Sequence, residues 1–176
     1  TLFKLQFVIR KKIIIIKNLY MNYKYINIYN NLVNLTRNKD LYNIQSKDTF
    51  SDRLTVFLFH FAFFLKVFKT NDNTKELQEI YDYVFKQIEL SIREIGYGDV
   101  TINKKMKEYI NLFHSILSKI DNWTDLNDIN KSKILTNFIP FDTSSLDLAK
   151  YFDKYEILLS KTTLNSLIKG VIKLKI

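Results

Sequence analysis

The sequence predicts an all-α fold, a single-domain helical bundle built around one central aromatic helix at about residues 50–70. Three observations predict it. Hydrophobic residues make up 47% of the 176-residue chain, which has only 3 Gly and 1 Pro, and that balance favours helices over a turn-rich sandwich or disorder. Apolar residues recur at spacings of three and four through most of the chain, as an amphipathic helix requires. Between Arg53 and Lys66 lie twelve residues, all apolar except Thr55 and His60. As a helix this run spans roughly 18 Å at ~1.5 Å per residue, short of the about 30 Å of a bilayer core. A helix apolar on every side has to be covered on every side, which makes it the post of a bundle.

Thr1–Tyr20 stands apart from that pattern. It holds no acid, and the first methionine is Met21. Its apolar core Ile13–Ile16 is too short for a secretory signal, and one Arg with no Ser does not suit a transit peptide. Residues 1–20 read as a basic leader, a fragment end or mis-translated upstream sequence, with the domain running over 21–176. The rival reading is a basic, apolar anchor on anionic lipid or ribosomal RNA.

Within the domain, Met21 to Leu41 carries Tyr25, Ile28, Tyr29, Leu32 and Leu35 on one face, a first helix. Ser46–Asp52 supplies a turn and the cap of the central helix, from Ser51 or Asp48. Asn71–Thr74 interrupts the pattern. Leu77, Ile80, Tyr81, Val84, Phe85, Ile88, Ile92 and Ile95 then form a long stripe, with Gly96 placed for a left-handed C-terminal cap. Beyond the turn Gly96-Tyr97-Gly98-Asp99, the next helix aligns Met106, Tyr109, Ile110, Phe113, Ile116, Leu117 and Ile120. A weaker helix from Leu126 to Phe138 stops ahead of Pro140. Ser144 with Asp147 resembles a capping box opening a helix with Leu148, Phe152, Tyr155 and Leu159. Thr162–Lys169 makes a last turn or two ended by Gly170, and Val171–Ile176 reads as a small strand or a loose tail.

The net charge of +9 is concentrated rather than spread. Residues 1–39 hold eight basic residues (Lys4, Arg10, Lys11, Lys12, Lys17, Lys24, Arg37, Lys39) and no acid, leaving 19 basic against 18 acidic in the rest. A nearly neutral body argues against a broad phosphate-binding surface and against DNA as a partner. Lys outnumbers Arg 23 to 4, and Asn, Ile, Tyr and Phe abound, a bias that tracks A/T-rich codons.

Chemistry of the catalytic kind is not legible. The chain has no cysteine, which excludes disulfides, thiolate metal sites and Cys nucleophiles in it. Its two histidines, His60 and His114, lie in strongly apolar helical stretches and read as packing residues, and no zinc-ligand spacing includes them. Asp121, Asp125 and Asp128 lack the order of a calcium loop, and Gly96-Tyr97-Gly98 is no phosphate loop. No acid, base and nucleophile set assembles; no enzyme, cofactor or metal site is expected.

Two features point instead to binding. If Thr101 caps its helix, Lys104, Lys105 and Lys107 crowd an N-terminus whose dipole opposes positive charge. That reads either as a basic rim beside the Gly96–Asp99 turn contacting an acidic or phosphate-bearing partner, or as charge neutralised locally by Glu94, Asp99 or Glu108, or as a helix that begins earlier, at Asp99. The phenylalanines Phe57, Phe61 and Phe64 of the central helix are either all core or part of a groove that accepts an apolar partner helix.

Asp48-Thr49-Phe50 ahead of an aromatic helix with Arg53 and His60 resembles the start of the ubiquinol–cytochrome c chaperone domain. So does Arg93-Glu94-Ile95-Gly96-Tyr97-Gly98-Asp99 followed by Lys104-Lys105-Met106-Lys107, the most specific portion. The likeness runs from about Tyr25 to Gly170, is nearer the bacterial branch, and is poor over Trp123–Ser145. It implies a non-enzymatic, all-α assembly factor for the cytochrome bc1 complex whose client is newly made cytochrome b or another bc1 subunit. Further partners implied are a ribosome, a small partner subunit and a peripheral contact with the inner membrane. The implied location is the bacterial cytoplasm at the inner face of the membrane, or the mitochondrial matrix in a eukaryote. Candidate partner-binding residues are Arg93, Gly96, Gly98, Asp99, Lys104, Lys105 and Lys107 with Phe57, Phe61 and Phe64. The alternative is a peripheral membrane-associated helical protein acting through its basic stretch Thr1–Lys39.

Overall fold

The computed structural model describes residues 23–42, 49–139 and 144–176. Among them are seven α-helices: α1 (Ile26–Thr36), α2 (Phe50–Phe68), α3 (Thr74–Glu94), α4 (Asp99–Ile120), α5 (Asp128–Phe138), α6 (Ser145–Ser160) and α7 (Leu164–Ile168). Short 3₁₀ turns occupy Lys39–Leu41 and Trp123–Asp125, and no strand occurs among the described residues. Residues 1–20, Met21, Asp48 and Pro140 lie outside the described residues.

The start of α2 is fixed by Thr49. Its extended backbone (φ −78, ψ 161) turns the hydroxyl onto the Asp52 amide while the Asp52 carboxylate accepts from the Thr49 amide, a reciprocal cap. The expected cap Ser51 is already inside the helix. From Leu54 to Phe64 every side chain of α2 is buried, because a different helix covers each face. Tyr29 of α1 meets Phe57, Tyr81 and Phe85 of α3 flank Phe61, Phe113 of α4 stacks on Phe61, and Phe152 of α6 stacks on Phe63.

The two polar residues inside this run are satisfied locally. Thr55 donates to the Ser51 carbonyl one turn back. His60 Nδ1 lies 2.8 Å from the Val56 carbonyl, which can only accept, so Nδ1 carries the proton. That leaves Nε2 to accept from the Tyr151 hydroxyl at 2.8 Å. Tyr155 donates in turn to the His60 carbonyl, tying α6 to α2 through polar contacts inside an aromatic core.

The stripe of α3 buries Leu77, Ile80, Val84, Phe85, Ile88 and Ile92 as its spacing predicts, with Tyr83 more deeply covered than Tyr81. Opposite it, α5 and α6 are tied by Asp153, whose carboxylate accepts from Trp123 Nε1 at 2.7 Å and from Lys131 Nζ at 2.9 Å. Ser144 caps α6 at the Asp147 amide as the sequence predicts.

The tail 171–176 is neither a strand nor loose, because α1 holds it. Asn27 Nδ2 donates to the Ile168 carbonyl at 2.9 Å, and Asn31 Nδ2 donates to the Ile172 carbonyl at 3.4 Å. The Leu174 amide donates to Asn31 Oδ1 at 3.1 Å, and its side chain is buried. Gly170 makes this return possible. Its φ of +70 is left-handed, and a Cβ there would fall 2.8 Å from Asn27 Nδ2. Gly170→Ala is expected to cost about 2 kcal/mol, from backbone strain plus displacement of the Asn27 amide from its acceptor. A lowered urea midpoint with unchanged helical ellipticity checks it.

Candidate partner-binding surface

The Gly96–Asp99 corner joins α3 to α4 and is exposed throughout. Gly96 carries φ +99, the left-handed C-terminal cap anticipated for it. Gly98 does something different: with φ −71 and ψ 158 it is the extended N-cap residue of α4. The helix therefore begins at Asp99 rather than after Thr101, and Lys104 is its sixth residue. The macrodipole acts within the first turn, so the supposed charge conflict is largely removed, and Asp99 sits where a negative charge is favoured.

Arg93 staples the corner. Its guanidinium donates to Glu89 Oε1 at 2.9 Å and to Asp99 Oδ1 at 2.5 Å, linking the end of α3 to the start of α4. Glu89 also accepts from Lys86, and these two hydrogen bonds, Lys86 first, hold its carboxyl below the ordinary range. Around this staple the surface is mixed. Lys104 and Lys107 are exposed, while Lys105 places its ammonium 4.8 Å from the Tyr97 ring centroid, a cation–π contact. Beside them Ile95, Tyr97 and Val100 show 51%, 42% and 86% of their surfaces to solvent.

Ile95 and Val100 were not legible as surface residues. Ile95 continues the α3 stripe in register but lies beyond Glu94, where the helix has ended and nothing packs over it. Val100 is on the outer side of the first turn of α4, while Ile102 turns inward and is buried.

The structure separates the sequence-predicted residues into two sets. Arg93, Gly96, Gly98 and Asp99 come together at the corner, Lys105 reaches back to Tyr97, and exposed Lys104 and Lys107 follow along α4. Phe57, Phe61 and Phe64 do not join them and are not surface residues: they retain 6%, 0% and 1% exposure. Of the two readings for these phenylalanines, the all-core one holds, because helices cover α2 on every face. Phe57 alone lines an open pocket, between α1, α2 and α3.

His114 also departs from expectation. It is exposed, with Nε2 3.2 Å from the Tyr81 hydroxyl, and lines a groove of about 420 Å³ with Leu77, Phe113 and Leu117. The helical part of the basic N-terminal stretch is core: Tyr25, Ile28, Leu32 and Leu35 are buried. Lys24 lies 3.1 Å from Glu76 and 3.6 Å from Glu79, and Tyr25 donates to Glu79 at 2.6 Å. Among the described residues no helix is long and apolar enough to cross a membrane, and no group of three or more His, Cys, Asp or Glu is placed to hold a metal ion.

The comparisons with known proteins agree with this architecture. The fold is similar to the crystal structure of the Cbp3 homolog from Brucella abortus, with a TM-score of 0.69 over 96% of this chain and 94% of that chain at 24% identity. No curated protein matches the sequence. Residues 43–172, from the cap of α2 through the corner to the tail, match the family model described as ubiquinol–cytochrome C chaperone. With most of its length under that match, the chain belongs to the ubiquinol–cytochrome c chaperone family.

Proposed function

We propose that this protein is a non-enzymatic assembly chaperone for the respiratory cytochrome bc1 complex, holding newly made cytochrome b or another bc1 subunit. The observation that carries this reading is the family match over residues 43–172. The corner supports it physically. A membrane-protein subunit awaiting assembly presents apolar surface and charged loops; Ile95, Tyr97 and Val100 offer apolar contact, with Lys104 and Lys107 beside them. The work is done at the inner face of the membrane, where such a client is inserted.

Deletion of the gene is expected to lower assembled bc1 complex and spectrally detected cytochrome b together; normal levels of both would overturn the reading. The corner has its own test. Lys104→Glu with Lys107→Glu is expected to weaken capture of cytochrome b roughly tenfold while far-UV ellipticity is kept, since both side chains point to solvent. Undiminished capture would remove these lysines from the account.

A second reading is favoured by charge alone, because residues 1–39 hold eight bases and no acid. With Lys24 ion-paired and α1 packed, peripheral membrane association would fall to residues 1–20. Flotation with anionic liposomes, with and without those residues, separates it from the first; unaltered association after their removal would sink it.

A further inference from the structure

The tail 171–176 is held along only one of its two edges. The Asn31 side chain donates to the Ile172 carbonyl at 3.4 Å and accepts from the Leu174 amide at 3.1 Å. Those are the two groups that one residue of a parallel strand would engage, because residues i and i+2 of an extended segment turn their backbone groups to the same edge. Exposure alternates to match: Val171, Lys173 and Lys175 are exposed, Ile172 is half-buried and Leu174 is buried. Lys173 and Lys175 therefore turn their N–H and C=O groups to the opposite edge. No backbone group of either has a hydrogen-bond partner among the described residues. An extended segment with one edge held and the other open is a template for a further strand.

Charge says what such a strand carries. From residue 157 to residue 176 the chain holds four lysines (Lys161, Lys169, Lys173 and Lys175) and no acid. The helix that clasps the tail, α1, has no acid either. Acids on neighbouring helices are already taken, Glu156 by Lys66, and Glu76 and Glu79 by Lys24. Lys173 and Lys175 make no ion pair with any described residue. Residues 1–22 lie outside the described residues, but they hold five bases and no acid, so they cannot supply the counter-charge. The near balance beyond residue 39, 19 bases against 18 acids, conceals this segregation.

The same charges exclude a second copy of the tail as occupant. Two tails side by side would bring the lysines of one against those of the other, and like charges opposite each other destabilise a strand pair.

We infer that the open edge at Lys173 and Lys175 is a docking site for an extended acidic segment of a protein partner, added as a strand. Its backbone pairs with the N–H and C=O groups of Lys173 and Lys175. Acidic side chains at alternate positions face the two ammonium groups, and an apolar one covers Val171, which shows 74% of its surface to solvent. This edge shares no residue with the corner, and the inference does not rest on cytochrome b being the client.

The test titrates the full chain with a labelled heptapeptide of alternating Glu and Val, with the Lys-for-Glu peptide as control. The Glu peptide is expected to bind and the Lys peptide is not. Lys173→Gln with Lys175→Gln, which keeps both amides, is expected to weaken binding about tenfold. Lys173→Pro also removes a donor from the open edge, and is expected to bind about fivefold more weakly than Lys173→Gln. An unchanged urea midpoint shows that Asn31 still holds the tail in each variant. Amide exchange is the readout that charge attraction alone would not move: binding is expected to slow exchange at Lys173 and Lys175. No binding of the Glu peptide would overturn the inference, as would equal binding of the Lys peptide. So would a bound peptide that leaves those two amides exchanging as in the free chain. Phosphatidylglycerol vesicles or tRNA binding through Lys173 and Lys175 while the peptide fails would replace the acidic segment with a polyanionic surface. None of these outcomes alters bc1 or cytochrome b levels in the gene deletion, so failure here and failure of the assembly role are distinguishable.

Discussion

Phe63→Ala should lower the unfolding free energy by about 4 kcal/mol, the middle of the range for removing a fully buried aromatic ring. Phe63 has no exposed surface. Its ring lies nearly parallel to that of Phe152 (interplanar angle 8°, centroids 5.1 Å apart) and meets the Trp123 ring edge-on at 5.2 Å and 89°. Three segments, α2, α6 and the 3₁₀ turn at Trp123–Asp125, converge on this one side chain, so the cavity left by Ala has rigid walls on several sides and little room to collapse. Phe50→Ala supplies the contrast, because Phe50 sits at the exposed start of the same helix with 41% of its surface in solvent, and should cost well under about 1 kcal/mol. Urea unfolding of both variants reads the difference. Equal losses would mean that α2 is not the centre of the core.

Acidification should destabilise the protein in a window set by His60. Complete burial pushes its imidazole down to about 4 from the ordinary 6.5, partly offset by the hydrogen bond to the Val56 carbonyl. Between those two values the unfolded chain binds a proton at this residue and the folded chain does not, so stability falls as pH drops through the window. The contribution is complete above about pH 6.5, declines from there to about pH 4, and is flat below. At about 1.4 kcal/mol per pKa unit the loss across the window is on the order of 3 kcal/mol. The folded carboxylates Glu79 and Glu89, both held low by their hydrogen bonds, lose their contribution only below the ordinary carboxyl range, so the decline between pH 6.5 and 5 belongs to His60. Chemical unfolding at half-unit pH steps should show it. His60→Leu, paired with Tyr151→Phe so that no hydroxyl is left without its acceptor, should flatten that part of the curve.

Much of the fold was legible because periodicity is a direct record of burial. Apart from half-buried Tyr81, the stripe from Leu77 to Ile92 and the set Leu148, Phe152, Tyr155 and Leu159 are buried where their spacing placed them. Local ambiguity set the limit on boundaries. In the run Ser46-Lys-Asp-Thr-Phe-Ser-Asp52 several residues can cap a helix, and Thr49 is selected because Asp52 three positions on returns the hydrogen bond. The residues of the corner could be listed from sequence, but their character could not: Arg93 and Asp99 turn out to be engaged with each other, and the apolar part of the surface comes from Ile95, Tyr97 and Val100. The phenylalanines of α2 left two readings open, core or groove, and spacing alone could not choose because it does not say how many helices pack around them. The hold of Asn31 on the tail joins the first helix to the last residues described, and no spacing along a chain announces such a meeting.

The amides of Asn27 and Asn31 clasp backbone groups 141 to 143 positions further on. During synthesis α1 emerges early, yet its contacts with residues 168–174 cannot form until nearly the whole described chain has left the ribosome. Closing so long a loop is slow. The seam between α1 and the tail is therefore the last part of the bundle to shut, and until then the greasy side of α1 has no permanent cover on that flank. The bundle thus passes through a stage in which α1 is the helix left waiting.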